Sequence, residues 1–210
     1  MRRRTITTLL GAALALLIAA PAQATLVYVK DPATAESHVW VAGDDGTKAK
    51  RIGPGHSPRI SPDGRWVAWI EDGMTDQIML RLADRSRKAR VVARTTDPGE
   101  LQFSPDSKRL GLVAARRLFV YDIKEREEVK AASGVIRGFS FSPDSTAVVF
   151  GTSGTSDAAD APSDLYSFTL GGKVRSRITR DRRSINPLWA ASGIIHDRTN
   201  AREPSNDTAP

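Results

Sequence analysis

Three serines stand beside an aspartate in the same tetrapeptide setting: Ser61-Pro62-Asp63-Gly64, Ser104-Pro105-Asp106-Ser107 and Ser142-Pro143-Asp144-Ser145. Nucleophilic catalysis needs a serine, a base and an orienting carboxylate in one place, so these positions are weighed first. Their spacing argues against them. The first two copies lie 43 residues apart and the next two 38, and a residue that recurs with a repeat answers to the repeat. Proline at the second place presets φ, and aspartate at the third can bond its own backbone two residues on. Ser61, Pro62, Asp63, Gly64, Ser104, Pro105, Asp106, Ser142, Pro143 and Asp144 are therefore read as structural turn residues. No G-x-S-x-G elbow occurs, and no catalytic residue is expected.

Histidine is confined to His38, His56 and His196, with no pair at helical or strand spacing. His56 lies in the connection Gly53-Pro54-Gly55-His56-Ser57-Pro58 and is a candidate binding residue, because a loop histidine there could reach a ligand. Neither a paired-histidine helix motif nor an EF-hand loop is present, so no metal ligand and no cofactor are expected. Asp44-Asp45 and the trio Asp157, Asp160 and Asp164 offer at most loose calcium sites. The densest charge is Lys173, Arg175, Arg177, Arg180, Arg182 and Arg183, relieved only by Asp181. Strand alternation would put Lys173, Arg175 and Arg177 on one face of an outer strand. Such a stripe guards an edge against unwanted pairing. It also suits an anionic partner, an acidic protein surface or a cell-envelope polymer, held by a field that salt weakens.

Composition sets the outer limits. The chain has 210 residues, a formal net charge of +7, 40% hydrophobic residues and no cysteine. Collagen-like, wholly disordered and multi-span membrane classes are excluded, as are disulfide frameworks, thiol catalysis and cysteine-ligated metal centres. Arg2, Arg3 and Arg4 precede an apolar run, Leu9 to Ala20, that ends in Pro21 and the triplet Ala22-Gln23-Ala24. This is the layout of a secretory signal peptide over 1–24, cleaved before Thr25. The run is shorter than the roughly 20 residues that cross a bilayer, so a secreted or periplasmic protein without a membrane span is expected. Removal of the leader leaves 28 Lys+Arg against 24 Asp+Glu, or +4. No nucleic-acid partner is expected of an exported chain so mildly basic.

The repeat governs the remainder. After each turn comes a short apolar strand, Val67-Ala68-Trp69, Leu110-Gly111-Leu112 or Val148-Val149-Phe150, and a decayed fourth copy follows at Trp189-Ala190-Ala191-Ser192-Gly193. A further strand carries an apolar-aromatic or apolar-bulky pair: Val39-Trp40, Ile78-Met79, Leu118-Phe119 and Leu165-Tyr166. A polar turn and a basic outer strand close each unit, as at Lys48 to Ile52, Lys88 to Ala93 and Lys173 to Thr179. Four strands per period of about 40 predict an all-β fold, a β-propeller of four-stranded blades.

The pattern apolar-x-Ser-Pro-Asp-Gly/Ser-x-x-apolar-small-aromatic, followed by the apolar-aromatic strand, resembles the β-propeller repeat of the TolB type, a relative of the WD-repeat propellers. The likeness runs from about Leu26 to Arg198 and implies a propeller in the cell envelope. The chain departs from TolB in having no room for the α/β domain that precedes the TolB propeller, and in lacking Pro and Asp at its fourth turn.

Strand counting gives blades of about 25–53, 58–93, 101–130 and 138–180, a partial fifth over 185–198, and a polar tail over 199–210. The first unit lacks its innermost strand and the fifth is cut short, so the ring is expected to be incomplete and open to self-association at its edges. A long Ser/Gly/Ala-rich loop, Thr152 to Ser163, is expected to be solvated or to serve as a contact loop. At the inner strands, Arg59-Ile60, Gln102-Phe103 and Ser140-Phe141 show no excess of carboxylates. The expected protein is therefore a secreted, non-enzymatic scaffold that binds protein or envelope polymer. A propeller-based hydrolase or lactonase is one alternative. An ectodomain or accessory subunit of an envelope sensor or transport complex is another.

Overall fold

The computed structural model describes residues 25–31, 37–83, 86–158 and 160–199. The expected signal peptide, 1–24, and all of the expected tail except Thr199 lie outside the described residues. Among these residues every regular element is a strand. The first sheet has three strands, β1 (Thr25–Lys30), β2 (His38–Gly43) and β3 (Lys50–Pro54). Three four-stranded antiparallel sheets follow. They are β4 (His56–Ile60) to β7 (Arg90–Thr95) through β5 (Trp66–Glu71) and β6 (Asp76–Leu82); β8 (Pro98–Phe103) to β11 (Glu128–Ser133) through β9 (Arg109–Ala114) and β10 (Arg117–Asp122); and β12 (Ile136–Phe141) to β15 (Val174–Arg177) through β13 (Ala147–Thr152) and β14 (Asp164–Thr169). A two-stranded sheet, β16 (Ser184–Ala190) with β17 (Gly193–Arg198), ends the stack.

Each sheet is a blade, and successive blades pack face to face. The apolar clusters lie between blades, not within them. Trp69 joins Val39, Val41 and Ile52 between the first and second. Ala68, Ile70 and Leu80 meet Leu101, Leu110 and Leu112 between the second and third. Leu118 and Val120 meet Phe139, Phe141 and Phe150 between the third and fourth. The middle residue of each second strand, Ala68, Gly111 or Val149, is small or β-branched and faces the next blade; at Gly111 the approach is closest, since a Cβ there would overlap the Phe139 ring. The bulky third residue faces backward, as Trp69 and Phe150 do, both nearly fully buried.

The turns explain the repeated serine and aspartate. Ser61, Ser104 and Ser142 each donate to the aspartate two residues on, Oγ to Oδ1 at 2.6 Å, and accept from the backbone N–H five residues on. Those aspartates accept in turn from the N–H groups of Arg65, Lys108 and Thr146. The fourth turn position ties blades together. The Asp63 N–H donates to Ser107 Oγ and the Asp106 N–H to Ser145 Oγ, both at 3.0 Å. Gly64 stands there in the first copy, where the blade before it has no such turn to hold. All three positions have positive φ, 70°, 60° and 63° for Gly64, Ser107 and Ser145.

One expectation needs correction. Lys173 is not on the outer strand: it sits in the preceding turn with φ 52°, and β15 begins at Val174. The Thr152 to Ser163 loop is largely exposed, as expected, and also touches its neighbours: Arg116 of the third blade pairs with Asp157 and Arg137 donates to the Ala158 carbonyl. The stack is open, since the sheets do not close on one another.

Candidate functional site

The inner strands β4, β8, β12 and β16 all break register near their first residues. The breaks fall between His56 and Arg59, Pro98 and Leu101, Ile136 and Phe139, and Ile185 and Leu188. A bulge re-aims side chains and bends the strand, and repeating it in four blades turns a row of groups toward the axis. Ser57, Gly138 and Asn186 adopt positive φ there, at 50°, 81° and 48°. Glycine is required at 138 because a Cβ would lie 2.8 Å from the Asn186 Cα, so β12 and β16 meet backbone to backbone.

Between these strands lies an open groove of about 260 Å³, lined by Glu100, Gln102, Gly138, Phe139, Ser140, Asn186, Pro187 and Leu188. Its polar groups are held in place by the next blade. Gln102 Oε1 accepts from the Phe141 N–H at 3.3 Å and Ser140 Oγ from the Trp189 N–H at 3.1 Å. Arg59 reaches forward to donate to the Leu101 carbonyl at 3.1 Å. Asn186 Nδ2 donates to Asp197 Oδ2. Glu100 supplies the groove's carboxylate. Although much of its side chain is exposed, desolvation raises its proton affinity, offset in part by the Phe139 N–H and the Arg59 charge. The residues immediately before each Ser-Pro-Asp turn give no hint of Glu100, which lies two residues earlier on the bulge. The signal that could have found it is the X-Pro step at Ser57-Pro58 and Asn186-Pro187, which marks the same bulge from sequence.

A second cluster lies at the end of the stack where β4 begins and β5 ends. His56 Nε2 is 3.1 Å from Asp72 Oδ1, and its Nδ1 is 2.8 Å from Ser57 Oγ. The order is that of a Ser-His-Asp relay, yet His56 and Asp72 are 40% and 61% exposed, so water competes for every member. Electrostatic assistance depends on a water-excluded site. What this cluster offers is a polar, hydrogen-bonding rim.

The basic residues are divided among separate tasks. Arg175 stacks over the Tyr166 and Phe150 rings, at 4.1 and 5.2 Å from their centroids. Arg177 pairs with Asp164, and the Arg182 backbone N–H also donates to that carboxylate. Arg183 gives its backbone N–H to Asp181, while Lys173, Arg180 and Arg182 project from the surface. Of the acidic residues considered for calcium, Asp45 bonds Thr47 and Asp157 and Asp164 bond arginines. Among the described residues, no three His, Asp or Glu side chains are grouped to hold a metal ion.

No family model and no curated protein matches the chain. Solved structures do. TolB from Acinetobacter baumannii superimposes with a TM-score of 0.60 at 20% identity, over 85% of this chain and 48% of that one. The β-propeller domain of the Trilobed protease from Pyrococcus furiosus, described as having an open velcro topology, gives 0.59 at 15% identity, over 77% and 55%. The fold is that of a TolB-like β-propeller. The likeness extends to enzymes: Pyrococcus horikoshii acylaminoacyl peptidase gives a TM-score of 0.52 at 18% identity, over 77% of this chain and 32% of that one. The chain thus spans about half the length of the TolB and Trilobed chains and a third of the peptidase. No helix of the described propeller is long and apolar enough to cross a membrane.

Proposed function

We propose that this chain is an exported, non-enzymatic propeller scaffold that binds a segment of a partner protein in its axial groove. The observation that carries the reading is the groove itself. Gln102 and Ser140, each fixed by an N–H of the following blade, stand beside the apolar walls of Phe139 and Leu188 and the carboxylate of Glu100. Such a mixture suits a peptide whose backbone amides bond the polar row and whose cationic side chain meets Glu100. The N-terminal leader pattern supports export to the periplasm or beyond. Loosely held calcium and an anionic envelope polymer at Lys173, Arg180 and Arg182 are secondary to this reading.

The enzymatic alternative takes its support from the peptidases that share the fold, and its best local candidate is Ser57 beside His56 and Asp72. One experiment addresses both. Purified protein is incubated with a fluorophosphonate probe, which labels activated serines, and is titrated separately with an array of lysine- and arginine-bearing peptides. The expected result is no covalent adduct, together with saturable peptide binding that the double substitution of Glu100→Ala and Gln102→Ala weakens at least about tenfold, the loss of roughly one charge-assisted contact. An adduct at Ser57 that Ser57→Ala removes would establish the hydrolase instead. Peptide binding indifferent to the groove substitutions would refute the groove.

A further inference from the structure

Among the described residues the stack has two free faces, and the repeat identifies what each is made to meet. Strand pairing places Arg59 opposite Ala68, Gln102 opposite Gly111, Ser140 opposite Val149 and Leu188 opposite Ile195. These four pairs occupy one position in four successive blades, on the face that points to the blade that follows. Ala68 and Val149 are 0% exposed, and Gly111 lies against the Phe139 ring. Leu188 and Ile195 in the last sheet are 55% and 61% exposed.

At the other end, Tyr28 pairs with Trp40 as Phe150 pairs with Tyr166 and Leu112 with Phe119. In those later blades this bulky face packs against the blade before. In the first sheet nothing among the described residues precedes it, Leu26 is 48% exposed, and Lys30 covers Trp40 at 4.2 Å from the ring centroid.

The polar links that join the inner blades are missing from both free faces in a matched way. In the third and fourth blades the forward position holds an acceptor, Gln102 or Ser140, for an N–H of the next inner strand. In the fifth sheet that position is Leu188, which can accept nothing, and among the described residues the first sheet has no strand inside β1 to donate. The turn link also lacks its parts on both sides. The fifth sheet turns through the two residues Ala191-Ser192 in place of the longer Ser-Pro-Asp turn whose third N–H donates in earlier blades, and the sequence before β1 has no Ser-Pro-Asp motif to supply the accepting hydroxyl. Among the described residues an apolar face without polar links thus exists at each end of the stack.

We infer that the fifth sheet of one copy packs on the first sheet of a second copy, continuing the face-to-face stacking between molecules. Leu188 and Ile195 meet Leu26, Tyr28 and Trp40 there, as Val149 and its neighbours meet the next blade inside the chain. The contact is head-to-tail, so it propagates unless a ring closes. It does not depend on ligand binding in the groove.

Sedimentation velocity of the purified protein from about 1 to 100 µM, the range of modest interfaces, tests this. The forward variant carries Leu188→Glu with Ile195→Glu, and the rear variant Leu26→Glu with Tyr28→Glu. Milder serine substitutions at the same positions serve if either fails to show the wild-type near-UV circular dichroism. The expected result is concentration-dependent association of the wild type, weakened at least tenfold in each variant alone. Mixing the two variants should give a one-to-one dimer, because each still has one intact face. A wild type that stays monomeric throughout, association untouched by either variant, or mixtures that fail to pair would overturn the inference.

Discussion

Asp181 shows how one carboxylate holds an entire connection. It accepts from the Ser184 hydroxyl at 2.7 Å, from the Arg183 N–H, and from both Arg198 donors, so it binds the link between the fourth and fifth sheets to β16 and β17 at once. Desolvation alone would raise its pKa, but these bonds outweigh it and bring it down to about 2 from 3.8. A folded pKa below the unfolded one stabilises above the unfolded value, and that stability is lost as pH falls from about 4 to about 2. Asp181→Asn should therefore lower the melting temperature at pH 7, and the difference from wild type should shrink at pH 2. A constant difference across that range would remove the charge from the account. The strut serines are tested in the same way. Ser107→Ala should cost about 1–3 kcal/mol in urea denaturation, because it removes the acceptor for the Asp63 N–H and leaves a Cβ at φ 60°. Ser107→Gly should cost less, since it loses the same hydroxyl but also removes the Cβ that is disfavoured at φ 60°. Equal losses would show that the backbone contributes nothing. At this scale the sequence spoke through recurrence: Ser61, Ser104 and Ser142 were legible as turn residues by being repeated. The partner of Ser107 was not, because a link to the preceding blade leaves no mark in local spacing.

Strands are the level at which the pattern was most readable. Val67-Ala68-Trp69, Leu110-Gly111-Leu112 and Val148-Val149-Phe150 fall within β5, β9 and β13, and the small middle residue does face the neighbouring sheet. Gly111 carries this to its limit, since the Phe139 and Phe141 rings occupy the space a side chain would need. Gly111→Val should accordingly destabilise by several kcal/mol, above the usual 1–3 for overpacking, because two rings and a strand must all move. Denaturant midpoints measure this. A loss below about 1 kcal/mol would mean that the blades slide apart at little cost. The bulges on β4, β8, β12 and β16 were not legible from alternation, because a bulge is a relation between two strands, and only the X-Pro steps at Ser57-Pro58 and Asn186-Pro187 point to two of them. The groove was missed for that reason: Glu100 and Asn186 reach the axis only through those irregularities. The basic stripe was legible in part: Arg175 and Arg177 share β15, but that one stacks on an aromatic pair and the other meets a carboxylate is set by neighbouring strands that local spacing does not show.

At the scale of the molecule, stability should behave as a sum over sheets and the interfaces between them. The second, third and fourth blades are covered on both faces, and the buried clusters fill their interfaces. The fifth sheet has two strands, one covered face, and half-buried Trp189 and Ile194 where earlier blades place fully buried residues. It is fastened by the Trp189 N–H on Ser140, by the Ser184 N–H on the Ser163 carbonyl, and by Asp181. Local opening draws on segments with few buried apolar contacts, so β16 and β17 should open before the rest. Hydrogen exchange of dilute protein should show their amides at least about tenfold less protected than those of β9 and β13, one interface being absent of the usual two. Uniform protection would mean that the stack unfolds as a single unit and that the last sheet is held more firmly than its contacts provide. The same measurement made at high concentration bears on head-to-tail packing, because a second copy seated on Leu188 and Ile195 would supply the missing interface. Protection of β16, β17 and β1 should then rise together while β9 and β13 stay unchanged.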